Sequence, residues 1–166
     1  ADILDTGSLH DRTDSTAGNL VQVDRALELA RRLAAQPTAE YLQLCGIKII
    51  VDGAIDSCTA AMKEPYADGS SAGPIWDRQS LLPVVAAADA AGLQVALHAI
   101  GDEASDLALD ALENAVRTNG PRDRRHRIEH LETVTEANVQ RLADLGVVAS
   151  VQPVHADPAI QANWQA

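Results

Sequence analysis

Histidine side chains stand at the ends of three successive apolar segments, and a lysine stands inside a fourth. The residues are His98, His130, His155 and Lys48. Imidazole nitrogens and carboxylate-like oxygens suit Zn²⁺ and similar divalent cations, which lower the pKa of a bound water into the neutral range. A lone histidine at a strand end is more often structural, but repetition at successive ends favours a hydrolytic metal site.

Lys48 lies in the apolar run LQLCGIKIIVD. A charged amine is costly to bury there unless it is paired or modified. Side-chain alternation along a strand puts Lys48, Ile50 and Asp52 on one face, so one interpretation is an ion pair between Lys48 and Asp52. The other is a carbamylated Lys48, whose carbamate oxygens bridge two metal ions as an amine cannot. The residues alone leave both open.

Residues 126–130, HRIEH, also fit the H-x-x-E-H pattern of inverted zinc peptidases. That pattern requires a helix, which brings histidines four residues apart to one face. The segment follows Gly120 and Pro121, and Thr133 or Thr135 is the expected N-cap of the next helix. We therefore predict a strand here, with the zinc peptidase as the lesser alternative.

Apolar strands alternate with helical segments along the chain. The predicted strands are 42–52, 93–99, 125–130 and 147–152, and the predicted helices are 20–33, 79–91, 102–119 and 135–145. Residues 1–19 show no sustained period and are predicted to be a loop or disordered leader. This alternation predicts an α/β fold with a parallel sheet. Because ligands gather at the carboxyl ends of parallel strands, the candidate side chains are expected at one rim.

Composition excludes several classes of function. The net charge of -11 makes nucleic acid and anionic membranes poor partners. No run approaches the roughly 18 apolar residues that span a bilayer, and no secretory signal is visible, so the sequence predicts a cytoplasmic protein. Cys45 and Cys58 have no C-x-x-C spacing, which gives no support to a thiolate zinc site.

Four blocks carry a resemblance to a known family. They are IKIIVDGAIDSCTAAMKEPYADG from Ile47, VALHAIGDEASDLALDALE from Val95, RHRIEHLE from Arg125 and GVVASVQPVHADPAIQANW from Gly146. In this order and spacing they resemble the amidohydrolase superfamily and, within it, amidohydrolase family 3, a group of metal-dependent hydrolases. The resemblance implies a (β/α)8 TIM-type barrel, of which residues 20–166 are similar to strands four to seven.

The resemblance also implies roles for single residues. His98 matches the fifth-strand metal ligand, His130 the sixth-strand ligand, and Lys48 the fourth-strand lysine that is carbamylated in related members. His155 and Asp52 are expected to contact substrate. The implied cofactor is one or two divalent metal ions, with zinc the first choice.

Two family features find no match in this sequence. No two histidines are separated by a single residue, so the first-strand H-x-H pair is missing, and the eighth-strand aspartate that acts as ligand and base would lie beyond Ala166. Asp56 and Cys58 also stand where relatives commonly have glycine and arginine. The sequence therefore predicts a central fragment of an amidohydrolase that hydrolyses amide or other C–N bonds of small molecules through a metal-activated water, inactive alone.

Two alternatives stay open at this stage. The chain could be a non-catalytic remnant that binds a small ligand or partner through the same rim, and metal content would separate the two. It could also be a self-contained small α/β domain, which would place strands 42–52 and 147–152 side by side. Because half a barrel leaves strand edges unpaired, we also expect a homo-oligomer.

Overall fold

The computed structural model describes the backbone of residues 2–3 and the whole of residues 16–157. Parallel strands alternate with helices along this part of the chain. The strands are β1 (Asp2–Ile3), β2 (Gly46–Ile50), β3 (Gln94–Ala99), β4 (Arg127–His130) and β5 (Val148–Ser150). The helices are α1 (Thr16–Ala34), α2 (Arg78–Ala90), α3 (Asp102–Asn119) and α4 (Glu136–Leu145), followed by a 3₁₀ helix, Pro153–Ala156.

Each strand pairs in parallel with the next strand along the chain, so the sheet order is β1-β2-β3-β4-β5. This sequential order is that of a (β/α) barrel, and the predicted partial barrel is confirmed. Neighbouring β2 and β5 would have favoured the alternative of a self-contained small domain, but β3 and β4 separate them. No helix within residues 16–157 is long and apolar enough to cross a membrane.

The structure differs from the predicted leader at residues 1–19 in two places. Asp2 and Ile3 form β1, which pairs with Ile47 and Lys48 of β2, and α1 begins at Thr16. A two-residue strand is too short to show a period, which is why the sequence pattern missed it. The rest of the predicted leader, 4–15, lies outside the described residues, as does 158–166.

Capping residues fix the helix boundaries. The Asp77 side chain accepts a hydrogen bond from the Ser80 amide at 2.7 Å and begins α2, and Thr135 does the same for α4 through the Asn138 amide at 3.2 Å. Gly146 ends α4 with φ 63°, a left-handed conformation that glycine adopts without steric cost. The N-cap predicted at Thr133 or Thr135 is therefore Thr135.

The helices cover one face of the sheet, and side chains that alternate along the strands divide between its two faces. The face toward the helices is apolar and almost completely buried, and it includes Ile47, Ile49, Val95, Leu97 and Ile128. Lys48, His98 and Glu129 are partly exposed at alternate positions. The face that would line the interior of a complete barrel therefore carries the polar groups.

A buried ionic cluster joins α2 to the amino ends of β3 and β4. Asp89, 2% exposed, accepts hydrogen bonds from Arg124 at 2.7 and 3.0 Å. The Val95 amide donates to His126 Nδ1 at 3.1 Å, so the His126 proton is on Nε2, which donates to Asp89 at 2.9 Å. Burial raises the pKa of Asp89, but the hydrogen bonds outweigh it and hold the pKa far below its usual range.

The zinc peptidase alternative is wrong because of this arrangement. Residues 127–130 form β4 rather than a helix, so His126 and His130 do not share a helical face. Both ring nitrogens of His126 are engaged in structural hydrogen bonds at the amino end of the strand. His130 lies at the opposite end of the same strand.

Candidate metal centre

The three histidines predicted to lie at strand ends are neighbours at the carboxyl end of the sheet. The ring centroids of His98 and His130 are 4.5 Å apart in an edge-on arrangement, and those of His130 and His155 are 5.8 Å apart and stacked. Lys48 lies on the same face of the sheet, close enough for its charge to lower the pKa of His130. The rim predicted from strand ends is therefore a real cluster of side chains.

His98 is oriented by the backbone that follows β2. Its Nε2 lies 2.9 Å from the Gly53 carbonyl oxygen and 3.5 Å from Asp52 Oδ1. A carbonyl oxygen only accepts, so Nε2 carries the proton and donates it. In the neutral ring this leaves the lone pair of Nδ1 free. Metal-binding histidines usually donate their second N–H to a carbonyl or carboxylate in this way.

His130 is oriented by Gln152, and the same argument fixes its tautomer. Gln152 Nε2 donates to the Ser150 carbonyl at 3.2 Å, which turns Gln152 Oε1 toward His130 Nδ1 at 2.8 Å. The His130 proton is therefore on Nδ1, and the lone pair of Nε2 is free. Burial, followed by the electrostatic influence of the neighbouring His98, lowers the pKa of His130 and favours this neutral ring.

Asp52 has a different place from the one predicted for it. It lies beyond the end of β2 and is 1% exposed. Its Oδ2 accepts from the amides of Ala61 and Gly101 at 3.0 and 2.8 Å, and its Oδ1 from that of Ile100 at 3.0 Å. With three amide donors and almost no exposure, Asp52 is a poor candidate for substrate contact. We assign it a structural role that supports His98.

Lys48 pairs with Glu129 of β4 rather than with Asp52. Glu129 also accepts a hydrogen bond from Arg127 Nε at 2.7 Å, so one carboxylate serves two cations. Burial, followed by the positive charge of Arg127, lowers the pKa of Lys48 to about 8. The Glu129 contact opposes this change because it favours the charged amine.

Three residues at this rim were missed from the sequence: Glu129, Glu132 and Gln152. Glu132 Oε1 lies 2.6 Å from His155 Nδ1, which is ion-pair range without hydrogen-bond alignment. His155 is carried by the 3₁₀ helix that follows β5. In the sequence, Glu129 belongs to the H-x-x-E-H pattern and Gln152 ends a predicted strand, and neither position marks a ligand of this rim.

The donor set fits a divalent metal ion. His98 Nδ1 and His130 Nε2 each retain a lone pair, their partner nitrogens are engaged, and the rings are in contact. Neutral imidazoles with a fixed second nitrogen are the usual ligands of zinc and its neighbours. A parallel partial barrel that carries imidazoles at its carboxyl rim is therefore suited to hold a metal ion where such barrels place their active sites.

The protein-family model described as Amidohydrolase family matches residues 9–166 of this chain. The chain belongs to this family.

Two relatives and one solved structure show how far the similarity extends. Protein LONG AFTER FAR-RED 3 of Arabidopsis thaliana is 43% identical over 70% of this chain and 20% of its own length. N-substituted formamide deformylase of Arthrobacter pascens is 28% identical over 86% of this chain and 24% of its own. An uncharacterized metal-dependent hydrolase from Pyrococcus furiosus superposes with a TM-score of 0.65 at 34% identity, over 81% of this chain and 27% of that structure. The chain thus spans between a fifth and just over a quarter of each.

Proposed function

We propose that this chain supplies part of the metal centre of an amidohydrolase that cleaves amide or other C–N bonds of small molecules. The observation that carries the proposal is the contact between His98 and His130, each with one nitrogen engaged and the other free. Membership of the amidohydrolase family supports the reaction class. The name of the Arthrobacter pascens relative, a deformylase of N-substituted formamides, supports the choice of a C–N bond.

His98, His130 and Lys48 are the proposed ligands, with zinc the preferred ion because the ligands include two imidazoles. When bound, the metal lowers the pKa of a water molecule so that it attacks at neutral pH. Lys48 would act as a carbamate, formed when its neutral amine adds to CO₂ and loses a proton. Glu129 already contacts Arg127, so it keeps a cationic partner when the charge of Lys48 is reversed.

The surrounding residues hold these ligands in place. The Gly53 carbonyl and Gln152 fix the two imidazole tautomers, and Asp52 fixes the backbone next to His98. The sequence contains no H-x-H pair and no residue that we match to the base aspartate, so we propose that the chain alone does not turn over. The cytoplasmic location and the homo-oligomer stay predictions.

The test is a paired measurement of metal content and hydrolysis on the complete product of the reading frame that encodes this chain. The variants are His98→Ala, His130→Ala and Lys48→Ala, with Lys63→Ala as the matched lysine control. Lys63 lies outside the cluster, where it pairs with Asp106. Substrates are N-formyl and N-acyl amines, with esters of the same acids for comparison.

We expect each ligand variant to lose metal and to lower kcat/KM by at least about 100-fold, since even residues that only orient ligands cost 10–100-fold. The Lys63→Ala variant should match the parent protein. Full activity in the His98→Ala variant would refute the metal centre, and hydrolysis of esters alone would refute the C–N assignment. A metal-free but correctly folded parent would favour the non-catalytic binding alternative.

A further inference from the structure

Beside the proposed centre lies a second group of potential metal ligands, which we name the outer triad: His130, Glu132 and His155. Each residue offers one ligand atom, and the three atoms lie within 4.8 Å of one another. Two imidazole nitrogens and one carboxylate oxygen form a ligand set that proteins use for zinc, with the remaining positions open to water or substrate. The outer triad contains neither Lys48 nor His98.

The backbone brings Glu132 back to the rim immediately after β4 ends. His130 and Leu131 have φ of 80° and 52°, so the backbone leaves the extended strand conformation at these two residues. This bend is held against β3 and the residue that follows it, because the Leu131 amide donates to Ala99 O and the Thr133 amide to Ile100 O, both at 3.0 Å. Glu132 is therefore positioned by hydrogen bonds of its neighbours rather than by its own side chain.

The outer triad shows an unsatisfied polar atom. His155 Nδ1 is buried and has no hydrogen-bond partner among residues 16–157, although Glu132 Oε1 is 2.6 Å away. The Glu132 side chain is only 11% exposed, and a carboxylate so far removed from water requires a compensating positive charge. A buried nitrogen without a hydrogen bond calls for an explanation, and a cation that both groups ligate would provide one.

His130 is prepared for this role by Gln152. Because Nδ1 is held by the amide oxygen at 2.8 Å, the free lone pair is on Nε2. One lone pair cannot serve two metal ions. An ion in the outer triad would therefore withdraw His130 from the centre formed with His98 and Lys48.

We propose that His130, Glu132 and His155 bind one divalent cation, best matched by Zn²⁺, at a site that shares His130 with the proposed catalytic centre but uses neither His98 nor Lys48. All three ligands belong to this chain, so the site does not depend on residues from elsewhere. In the complete enzyme, a cation here competes for His130 and excess zinc inhibits hydrolysis.

The test is equilibrium zinc binding to the 166-residue chain by competition with a chromophoric chelator. Glu132→Gln and His155→Ala remove outer-triad ligands, while His98→Ala and Lys48→Ala remove only ligands of the proposed centre. We expect one zinc per chain. Loss of one ligand in three should weaken binding by at least about 10-fold, since even outer-shell partners reach that figure. The His98→Ala and Lys48→Ala variants should bind as the parent chain does.

A second measurement needs no substitution, so it still tests the proposal if a variant fails to fold. In two-bond ¹H–¹⁵N spectra of the unsubstituted chain, zinc should shift the ring nitrogens of His130 and His155 and leave those of His98 unchanged. Zinc affinity that depends on His98 and Lys48 but not on Glu132 and His155 would overturn this proposal and leave the proposed function intact. Absence of zinc binding by the chain would also overturn it, whereas the proposed function is judged by the hydrolysis assay of the complete product.

Discussion

The buried carboxylate of Asp52 provides the sharpest test of how this rim is built. Three backbone amides, those of Ala61, Ile100 and Gly101, donate to its two oxygens. They belong to the loop after β2 and to the junction between β3 and α3. The substitution Asp52→Asn keeps the shape of the side chain and replaces one acceptor oxygen by an NH₂ group, which cannot accept.

The magnitude follows from which amides lose their acceptor. In the better orientation, the Asn oxygen takes the place of Oδ2 and keeps Ala61 and Gly101, while the NH₂ group faces the Ile100 amide. One buried donor is then unsatisfied, which costs about 1–3 kcal/mol. The Asp52→Ala variant leaves three amide donors without their acceptor and should cost about 3–5 kcal/mol. This is less than three times the cost of one unsatisfied donor, because water molecules can enter the space and because a buried charge is removed.

The assay is urea unfolding of the 166-residue chain, monitored by far-UV circular dichroism. The free energies of unfolding of the variants are compared at constant m-value. Asp56→Asn is the control, since Asp56 is exposed in the same loop, and it should change the free energy of unfolding by less than about 0.5 kcal/mol. The expected order of stability is parent, then Asp52→Asn, then Asp52→Ala. An Asp52→Asn variant as stable as Asp56→Asn would refute the assignment of Asp52 as the acceptor for these amides.

Three further outcomes are expected. Because the folded-state pKa of Asp89 is depressed, its contribution to stability is present above about pH 4 and is lost as the pH falls below that value. The urea midpoint of the Asp89→Asn variant should therefore fall less steeply with decreasing pH than that of the parent chain. Gly101→Ala should lower Tm by several degrees since its Cβ would overlap a backbone carbonyl, whereas Gly73→Ala, with no atom within 4 Å, should not. Lysine substitutions at Val148 and Val151, 45% and 58% exposed, should reduce self-association in sedimentation velocity if β5 is the associating edge.

Local signals in the sequence were sufficient for most of the fold. Helical periodicity and caps gave α2, α3 and α4 to within one residue, because a cap acts on amides two or three residues away. β1 could not be found this way. Its two residues form a strand only through pairing with Ile47 and Lys48, and nothing within the segment itself shows that partner.

The site was predictable only where a strand end carried the side chain. His98 and His130 were predicted because His130 ends β4 and His98 lies one residue before the end of β3. The partner of Lys48 was not predicted, because side-chain alternation places Asp52 beside Lys48 only if the strand continues to Asp52. In the structure, β2 ends at Ile50. Cross-strand register, which places His98 opposite Glu129, is a property of two segments and is not encoded in either alone.

Glu132 shows a different limit. Its place depends on positive φ at His130 and Leu131, and neither residue type signals that conformation as glycine would. The turn persists because β3 supplies carbonyl acceptors for it. Residues that are held by another strand's hydrogen bonds are therefore the ones that sequence patterns miss most readily.

The amino end of the sheet carries polar groups that stabilise the fold, whereas its carboxyl end carries the proposed metal ligands. At the amino end, Arg124 and His126 both donate to Asp89, and the Val95 amide donates to the other ring nitrogen of His126. At the carboxyl end, His98 and His130 each have one satisfied nitrogen and one with a free lone pair. Val95 and His98 mark these ends on β3, about 10 Å apart at a strand rise of roughly 3.3 Å per residue. At that distance effects on stability should add, so Asp89→Asn and His98→Ala should perturb unfolding independently, while only His98→Ala should lower the metal content of the complete product of the reading frame.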